Sequence, residues 1–455
     1  MREFYNAFSQ RDRICVSHYP LPRTATAPES LPHLLSLDRP DRRNRRKTIY
    51  VHIPFCDAIC SFCPFNKFLK KEDEVNQYLD ALKLEMNLYS QTHFCRSATF
   101  DSIYLGGGTP SCLKTDQIID ILQTLKDRFS ISPNAMIFVE GNPMSFTIDK
   151  LTALHDFGVN RISVGAQTFD DRIAKNIHLP QKPATTIQMI QNAHSCGFTN
   201  VGIDLMYPLP GMAPADWMAT IQQAIDLKVD HICLIAFCLV PNTSLFAQSK
   251  MGKLDAIAST DGEIEMYWEA RKRLLSSGYQ QYSILDFSFP GKVDEHAKIY
   301  FSEQGELLGL GAAAFGNVGN YMYVNAGTLC EYVDRVKHSQ LPILVGEMAD
   351  TTEEMHGFMA KGLRMLSVDK KFFKSLYRKD LDIIFESTIE NLKNKNLLIE
   401  TESKIMLSEK GIVWGNNVCK EFFSERYKNP RSSIDRTDLA KGKLPEWSSS
   451  GQTSR

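Results

Sequence analysis

The sequence predicts an α/β fold: a partial (β/α)6 barrel of the TIM type, followed by a smaller helical region carrying a two-strand wing. Three observations carry this. From Thr48 onward, short apolar runs alternate with longer amphipathic ones in six units, and strands alternating with crossover helices build a parallel sheet. Residues of marked chemical character gather where the predicted strands end, the end at which such barrels carry their chemistry. From Thr351 the pattern changes to helices, then to two short apolar runs.

Residues 1–47 read as an N-terminal arm, rich in Pro and Arg and ending in the basic run Arg42–Lys47; the expectation is an irregular strap on the barrel surface. Residues 48–345 form the barrel. Its strands are expected at 48–55, 100–106, 136–141, 161–166, 200–206 and 231–238, and its helices near 74–92, 114–128, 147–157, 184–197, 214–227 and 260–277. The first helix carries Val75, Tyr78, Leu79, Leu82, Met86 and Tyr89 at near-helical spacing, the apolar face a covering helix needs. The stretch GELLGLGAAAFGNVGNYMYVN, within 279–325, is rich in Gly and Ala. It allows close approach of backbone to a ligand or to a neighbouring segment. Residues 346–427 form the C-terminal region, with Leu397–Glu400 and Ile405–Ser408 as the wing; the tail 428–455, rich in Ser, Pro, Gly and charge, reads as disordered.

Composition excludes several classes. The formal net charge is −1 with 23% charged residues, so no basic field points to nucleic acid. No run reaches the length of a membrane span, and the start, MREFYNAFSQRDR, lacks the apolar core of a secretory signal. Eleven cysteines, an odd number scattered along the chain, fit a reducing compartment rather than a disulfide framework, and hence the cytoplasm.

The chemistry starts in Tyr50–Pro64. Cys56, Cys60 and Cys63 form a C-x3-C-x2-C run directly after an apolar strand. Three thiolates so spaced can wrap one [4Fe–4S] cluster and leave its fourth iron without a protein ligand, whereas such clusters normally take four cysteines. A zinc site would need a fourth ligand, for which His52 on the strand is a weak candidate. Three buried thiols in a core are the remaining alternative. Phe62, between the last two cysteines, can shield a cluster or pack on an adenine. Gly106–Gly108 have no side chains, so a polar ligand can approach their backbone; Thr109 adds a hydroxyl and Pro110 stiffens the exit. Glu140 ends the third strand, Gln167 follows the fourth, Asp204 lies in the fifth and Cys238 in the sixth.

The words YVHIPFC at Tyr50–Cys56, Gly106-Gly107-Gly108-Thr109-Pro110, Gly165-Ala166-Gln167 and Ile203-Asp204-Leu205 resemble the radical S-adenosylmethionine (SAM) superfamily. Within it they resemble the HemN group, typified by oxygen-independent coproporphyrinogen III oxidase, over roughly residues 48 to 415. The resemblance implies that the methionyl amino and carboxylate groups of SAM chelate the open iron. It implies that Tyr50, Gly107, Glu140 and Phe315 hold this first SAM, and Phe62, Gly108, Thr109, Gln167 and Asp204 a second. Cys238 then lines the site, either as a packed thiol or as a reactive one. It further implies a winged-helix-like C-terminal domain, an arm near the active-site mouth, a small-molecule substrate and an electron donor such as flavodoxin or ferredoxin.

Two positions depart from that pattern. Phe65 stands where HemN has a further Cys, which argues against porphyrinogen decarboxylation, and Leu179 stands where an Arg is usual, which removes a guanidinium for the second SAM carboxylate. The first expectation is therefore class C methyl transfer from a second SAM to an sp2 carbon of a heteroaromatic or natural-product substrate. Oxygen-independent coproporphyrinogen oxidation or anaerobic haem modification is the alternative. A third is a HemW-like haem chaperone without turnover: His296-Ala297-Lys298-Ile299-Tyr300-Phe301 partly matches that group's His-Asn-x-x-Tyr-Trp element, making haem a candidate ligand and His296 its candidate axial residue.

Overall fold

Among the described residues thirteen strands join in one sheet, and the sequence of their neighbours shows how the lumen is built. In chain order they are β1 (Thr24–Ala25), β2 (Lys47–Ile53), β3 (Thr99–Gly107), β4 (Ser130–Gly141), β5 (Arg161–Gln167), β6 (Val201–Tyr207), β7 (His231–Ala236), β8 (Gln280–Gln281), β9 (Asp286–Ser288), β10 (Glu306–Leu310), β11 (Phe315–Val318), β12 (Tyr321–Asn325) and β13 (Ile343–Met348). In space they run β1-β13-β12-β11-β10-β2-β3-β4-β5-β6-β7-β9-β8. The stretch from β10 through β2 to β7 is parallel, and both flanks are antiparallel. This computed structural model describes residues 4–27, 30, 31, 35 and 45–428. The predicted tail from residue 429 onward, and Arg42–Asn44 of the basic run, lie outside the described residues.

The predicted barrel is present, with two differences. A seventh parallel strand, β10, joins β2 from the far side, and the chain from Phe315 to Met348 folds back as an antiparallel extension. The wing has three strands rather than two, because Ser367–Asp369 pairs with Lys404–Leu407 beside Leu398–Glu400. Period-two alternation sets the two faces of the sheet. Ile103, Leu105, Val139, Ile162, Val164, Ile203, Leu205, Ile232 and Leu234 are at most 1% exposed and turn outward into the core. Between them Tyr104, Glu140, Asp204 and Cys233 keep partial accessibility and turn inward to the lumen.

Helices α1 (Glu72–Ser90), α2 (Thr115–Arg128), α3 (Ile148–Phe157), α4 (Pro183–Ser195), α5 (Pro214–Asp226) and α6 (Thr260–Ser276) occupy the predicted covering positions. The six apolar residues singled out on α1 are all buried. Glu85 is buried among them. Its carboxylate accepts hydrogen bonds from the Gly311 N–H (2.7 Å), the Tyr332 hydroxyl (2.7 Å) and the Asn325 side-chain amide (2.9 Å). That explains part of the Gly/Ala stretch: Gly311 needs φ +97° to present its N–H, and a Cβ at Gly309 would run into the Phe315 carbonyl. Here the small residues serve contact between neighbouring segments.

The arm departs most from expectation. Phe4, Arg11, Val16 and Tyr19 are buried, so the arm is wedged between barrel and C-terminal helices. The Trp414 indole N–H donates to the Phe4 carbonyl (2.6 Å), and Arg11 Nε donates to the Val413 carbonyl (2.7 Å). Arg11 and Arg13 both pair with Glu263, a fully buried carboxylate in the first turn of α6. Helix α7 (Leu329–Lys337) precedes β13, and helix α8 (Thr351–Arg364) then links the two ends of the curved sheet. The Ile284 N–H donates to the Arg364 carbonyl (2.9 Å) next to β9. The Arg364 guanidinium lies 4.2 Å from the ring centre of Phe301, in the π-helical turn Lys298–Ser302 before β10, and donates to the Val16 carbonyl (3.0 Å).

Replacing Glu263 with Ala leaves Arg11 buried without its counter-charge, which costs about 3 kcal/mol or more. The expected outcome is a lower melting temperature together with faster proteolytic release of the first residues of the chain, read by mass spectrometry; an arm still as protected as in the parent protein would refute this account of its docking.

Candidate active site

The strand β2 ends at Ile53, and the next ten residues form the cysteine loop. The loop is fixed at both sides: the Cys63 N–H donates to the Cys60 carbonyl (3.3 Å), and the Leu245 N–H to the Ser61 carbonyl (2.9 Å). Cys56 is buried, while Cys60 and Cys63 are partly accessible, and all three are free thiols. The Thr109 hydroxyl donates to Cys56 Sγ at 3.2 Å. Cys112, also buried, is occupied with the Phe55 carbonyl (3.4 Å). Among the described residues no group of three His, Cys, Asp or Glu is gathered tightly enough to hold one metal ion. A cubane cluster does not require that, since each of its thiolates binds a different iron. Burial raises the thiol pKa values, Cys60 to about 12, so iron binding here must displace protons.

The glycine turn lies against this loop. The Gly108 N–H donates to the Ile53 carbonyl (2.8 Å), and a Cβ on Gly108 would stand 2.8 Å from the Phe55 carbonyl. Gly107 has φ +111°, and a Cβ there would meet the His52 ring at 2.8 Å. His52 itself is fully engaged. Its Nε2 faces the Asn66 carbonyl (3.3 Å) and therefore carries the hydrogen; its Nδ1 then accepts from the Tyr50 hydroxyl (2.9 Å). Both ring nitrogens are used, which removes His52 as a metal ligand.

Glu140 stands at the end of β4 beside the turn. It accepts from the Tyr104 hydroxyl and the Gly107 N–H, yet burial raises its pKa to about 7. Asp204 on β6 is raised to about 8 by burial, by Glu140 and by Asp286. Arg161 at the base of β5 opposes both shifts; it is 1% exposed, donates to the Asn200 side chain (2.7 Å) and lies 4.7 Å from the ring centre of Phe138. Gln167 closes β5 at φ +63° with its side-chain oxygen buried and without a partner among the described residues, a costly state that a ligand with a donor would relieve.

Comparisons with known proteins bear on the family and the fold. The model of the radical SAM superfamily matches residues 50–224. The heme chaperone HemW of Bacillus subtilis (strain 168) is 32% identical over 382 residues, 83% of this chain and 100% of that protein. The anaerobilin synthase of Escherichia coli O157:H7 is 24% identical over 83% of each chain, and the oxygen-independent coproporphyrinogen III oxidase of Escherichia coli (strain K12) is 29% identical over 64% of this chain and 66% of its own. The solved structure of Escherichia coli coproporphyrinogen III oxidase (HemN) superimposes with a TM-score of 0.78, covering 92% of this chain and 97% of that one at 24% identity. The chain belongs to the HemN/HemW family of radical SAM proteins. It is a radical SAM enzyme by architecture, and that superfamily works with a [4Fe–4S] cluster and SAM.

Within this radical SAM barrel the structure brings together many of the residues named from sequence. Cys56 and Thr109 touch, as do Gly107 and Glu140; Tyr50 packs edge-on to Tyr104, the Glu140 partner (5.2 Å between ring centres), and Asp204 feels the Glu140 charge. Others are placed differently. Phe62 is turned into the hydrophobic core, and Phe315 is covered by His18, whose ring stacks on it at 4.2 Å and 4°. Cys238 lies beyond the end of β7, not within it, where the charges of arm residues Arg13 and Asp12 act on it. Tyr104, Arg161 and His18 were not singled out by sequence reasoning. For Tyr104 a signal existed: it is two residues before Gly106, on the lumen-facing parity of β3.

The raised carboxylates make a pH-dependent contribution. Asp204 and Glu140 hold protons more tightly in the folded barrel than in the unfolded chain, so their contribution to stability is fully present below the unfolded pKa, near 4, and is lost as pH rises through about 7 to 8. For the protein without SAM, the melting temperature should fall between pH 6 and 8.5, and Asp204→Asn should flatten that fall. A parallel decline in parent and variant would show that Asp204 does not hold its proton here.

Proposed function

We propose that this radical SAM enzyme acts on a tetrapyrrole under anaerobic conditions, cleaving SAM at its cluster to begin the reaction. The observation that carries the reading is that relatives matched along most or all of their length bear the names heme chaperone and anaerobilin synthase; both point to a tetrapyrrole ligand. Methyl transfer to some other heteroaromatic acceptor, the first expectation from the sequence, has less support. Leu179 is partly buried against the hydrophobic core, so the usual guanidinium for a second SAM carboxylate is missing there. The eleven cysteines are all free, which fits a reducing compartment, and among the described residues no helix is long and apolar enough to cross a membrane.

Cys56, Cys60 and Cys63 would hold the cluster, which when bound supplies the electron that splits SAM into methionine and a 5′-deoxyadenosyl radical. The Thr109 hydroxyl, donating to Cys56 Sγ, withdraws charge from that sulfur and so helps set the potential. Gly107 and Gly108 keep the approach to the loop free of side chains. Glu140, its carboxylate already oriented by Tyr104 and the Gly107 N–H, is placed to accept from an ammonium or a ribose hydroxyl. Asp204, uncharged in part near neutral pH, can gain charge when a cation enters beside it.

A second reading, haem binding without turnover, is favoured by one feature. The Thr48 hydroxyl donates to the Ser102 carbonyl (3.3 Å) and so accepts from His296 Nδ1 (2.6 Å), which leaves Nε2 as a lone pair without a protein partner among the described residues. Burial keeps this imidazole neutral, its pKa lowered to about 4. A neutral imidazole with its other nitrogen anchored is the form that binds a metal.

Anaerobic reconstitution tests both readings. With iron, sulfide, SAM and a reductant, the parent protein should form 5′-deoxyadenosine and Cys60→Ala should lose at least about 100-fold of that rate. Chromatography of incubations with haem and with coproporphyrinogen should show one of them consumed. Stable haem binding without consumption, abolished by His296→Ala, would favour the second reading; neither binding nor consumption of any tetrapyrrole would refute the proposal. S-adenosylhomocysteine formed with a non-tetrapyrrole acceptor would restore methyl transfer.

A further inference from the structure

A second polar pocket lies away from the cysteine loop, between the arm, the hairpin β11–β12 and helix α8. Tyr19, Pro20, Arg45, Gln304, Asn317, Asn320, Glu354, Gly357 and Lys361 are among the residues lining it. Lys361 is 5% exposed. Its ammonium lies 4.7 Å from the ring centre of Tyr300, and no hydrogen bond or ion pair to it exists among the described residues. A buried cation without a counter-ion is rare, because desolvation is not offset. The surroundings add to the problem. Arg45, whose Nη1 donates to the Gln304 carbonyl (3.2 Å), brings a second positive charge to the same pocket. Glu354 is the acidic side chain in the lining, and its attraction does not outweigh burial and Arg45: the Lys361 amine is lowered to about 7. Glu353, next to Glu354 on α8, is already bonded to the Tyr19 hydroxyl (2.5 Å) and the Ser424 hydroxyl (2.8 Å).

We propose that this pocket is a binding site for a small oxyanion, a carboxylate or phosphate group, held by Lys361 and Arg45 with help from the Asn317 side-chain amide. The site is independent of the radical SAM centre and does not rest on the tetrapyrrole reading. Such a group supplies the missing counter-charge and fits the donors, since guanidinium and ammonium groups both favour these oxygens. Its position also carries a consequence for the arm. The Tyr300 ring that underlies Lys361 hydrogen-bonds through its hydroxyl to His18 Nδ1 (3.2 Å), and His18 covers Phe315. An anion bridging Arg45 to α8 would therefore tighten the arm over the wall of the lumen to which Phe315 belongs.

The test uses full-length protein with its cluster reconstituted, titrated with inorganic phosphate and, separately, with propionate, at constant ionic strength with chloride as the control. The melting temperature should rise saturably with at least one of the two, and Lys361→Met should weaken that binding by about tenfold or more, as loss of a charged hydrogen-bond partner does. Arg45→Gln, further from the core, should weaken it in the same direction and guards against a Lys361 variant that fails to fold. A response to phosphate alone assigns the site to a phosphoryl group, and to propionate alone to a carboxylate. No saturable response to either, or one that survives both substitutions, overturns the proposal. Formation of 5′-deoxyadenosine by the same preparation shows independently that the radical SAM centre is intact, so the two readings fail separately.

Discussion

Burial acts on nearly every ionisable group around the lumen in the same direction, toward its neutral form. Glu140 and Asp204 hold protons to about pH 7 and 8, while His52 and His296 lose theirs near pH 4. The cause in each case is loss of water around the charged state. The sheet produces this condition by geometry. Its outward residues fill the core with aliphatic side chains, which leaves Tyr104, Glu140, Asp204 and Cys233 pointing into a space with little solvent. An interior arranged in this way carries little charge when empty and develops charge in response to what enters it. That suits a site whose ligand is a sulfonium bearing an ammonium group.

The same geometry joins the cysteine loop to the glycine turn. β2 and β3 are parallel neighbours in register from Thr48↔Ser102 to Ile53↔Gly107, so the loop that leaves one strand and the turn that leaves the other must emerge side by side. The contact between Gly108 and Phe55 leaves no room for a Cβ, and the Thr109 hydroxyl reaches Cys56 as a result. The arm completes the enclosure from the opposite side, with Arg11 reaching Glu263 and His18 reaching Phe315. Enclosure matters for radical chemistry because it keeps water and adventitious hydrogen donors from the reacting atoms.

What could be read from the sequence was what is written locally. The cysteine triplet, the glycine turn and the six strand–helix units all depend on spacing within a few residues, and the strand bounds lie within two residues of those expected, except that β4 starts at Ser130, six residues ahead of 136. The burial of the arm was not legible. Arg11 and Arg13 look like a surface charge run until their partner Glu263 is brought up by the fold. Ser367–Asp369 is too short to show an alternation, so the wing lost one strand in prediction. Lys361 was invisible for a similar reason: on α8 it reads as an ordinary exposed lysine, and only the packing of the arm and the β11–β12 hairpin encloses it.

The two departures from the family pattern carry different weight once their surroundings are known. Phe65 is 57% exposed at the edge of the cysteine loop, so its replacement of a thiol changes a surface and not the lumen wall. Leu179 is partly buried against the core and offers no guanidinium. Arg364 is already committed to the Val16 carbonyl and the Phe301 ring, and Arg161 to Asn200 at the opposite end of the strand. A second SAM would bring a carboxylate as well as a sulfonium, and Asp204 answers only the cationic part. Asp204, raised to about 8 by burial, by Glu140 and by Asp286, is a lumen carboxylate whose charged form an entering cation or N–H donor would favour. On the proposed tetrapyrrole reading, pyrrole N–H groups are donors of this kind, and Asp204 would then serve the substrate rather than a second molecule of the cofactor.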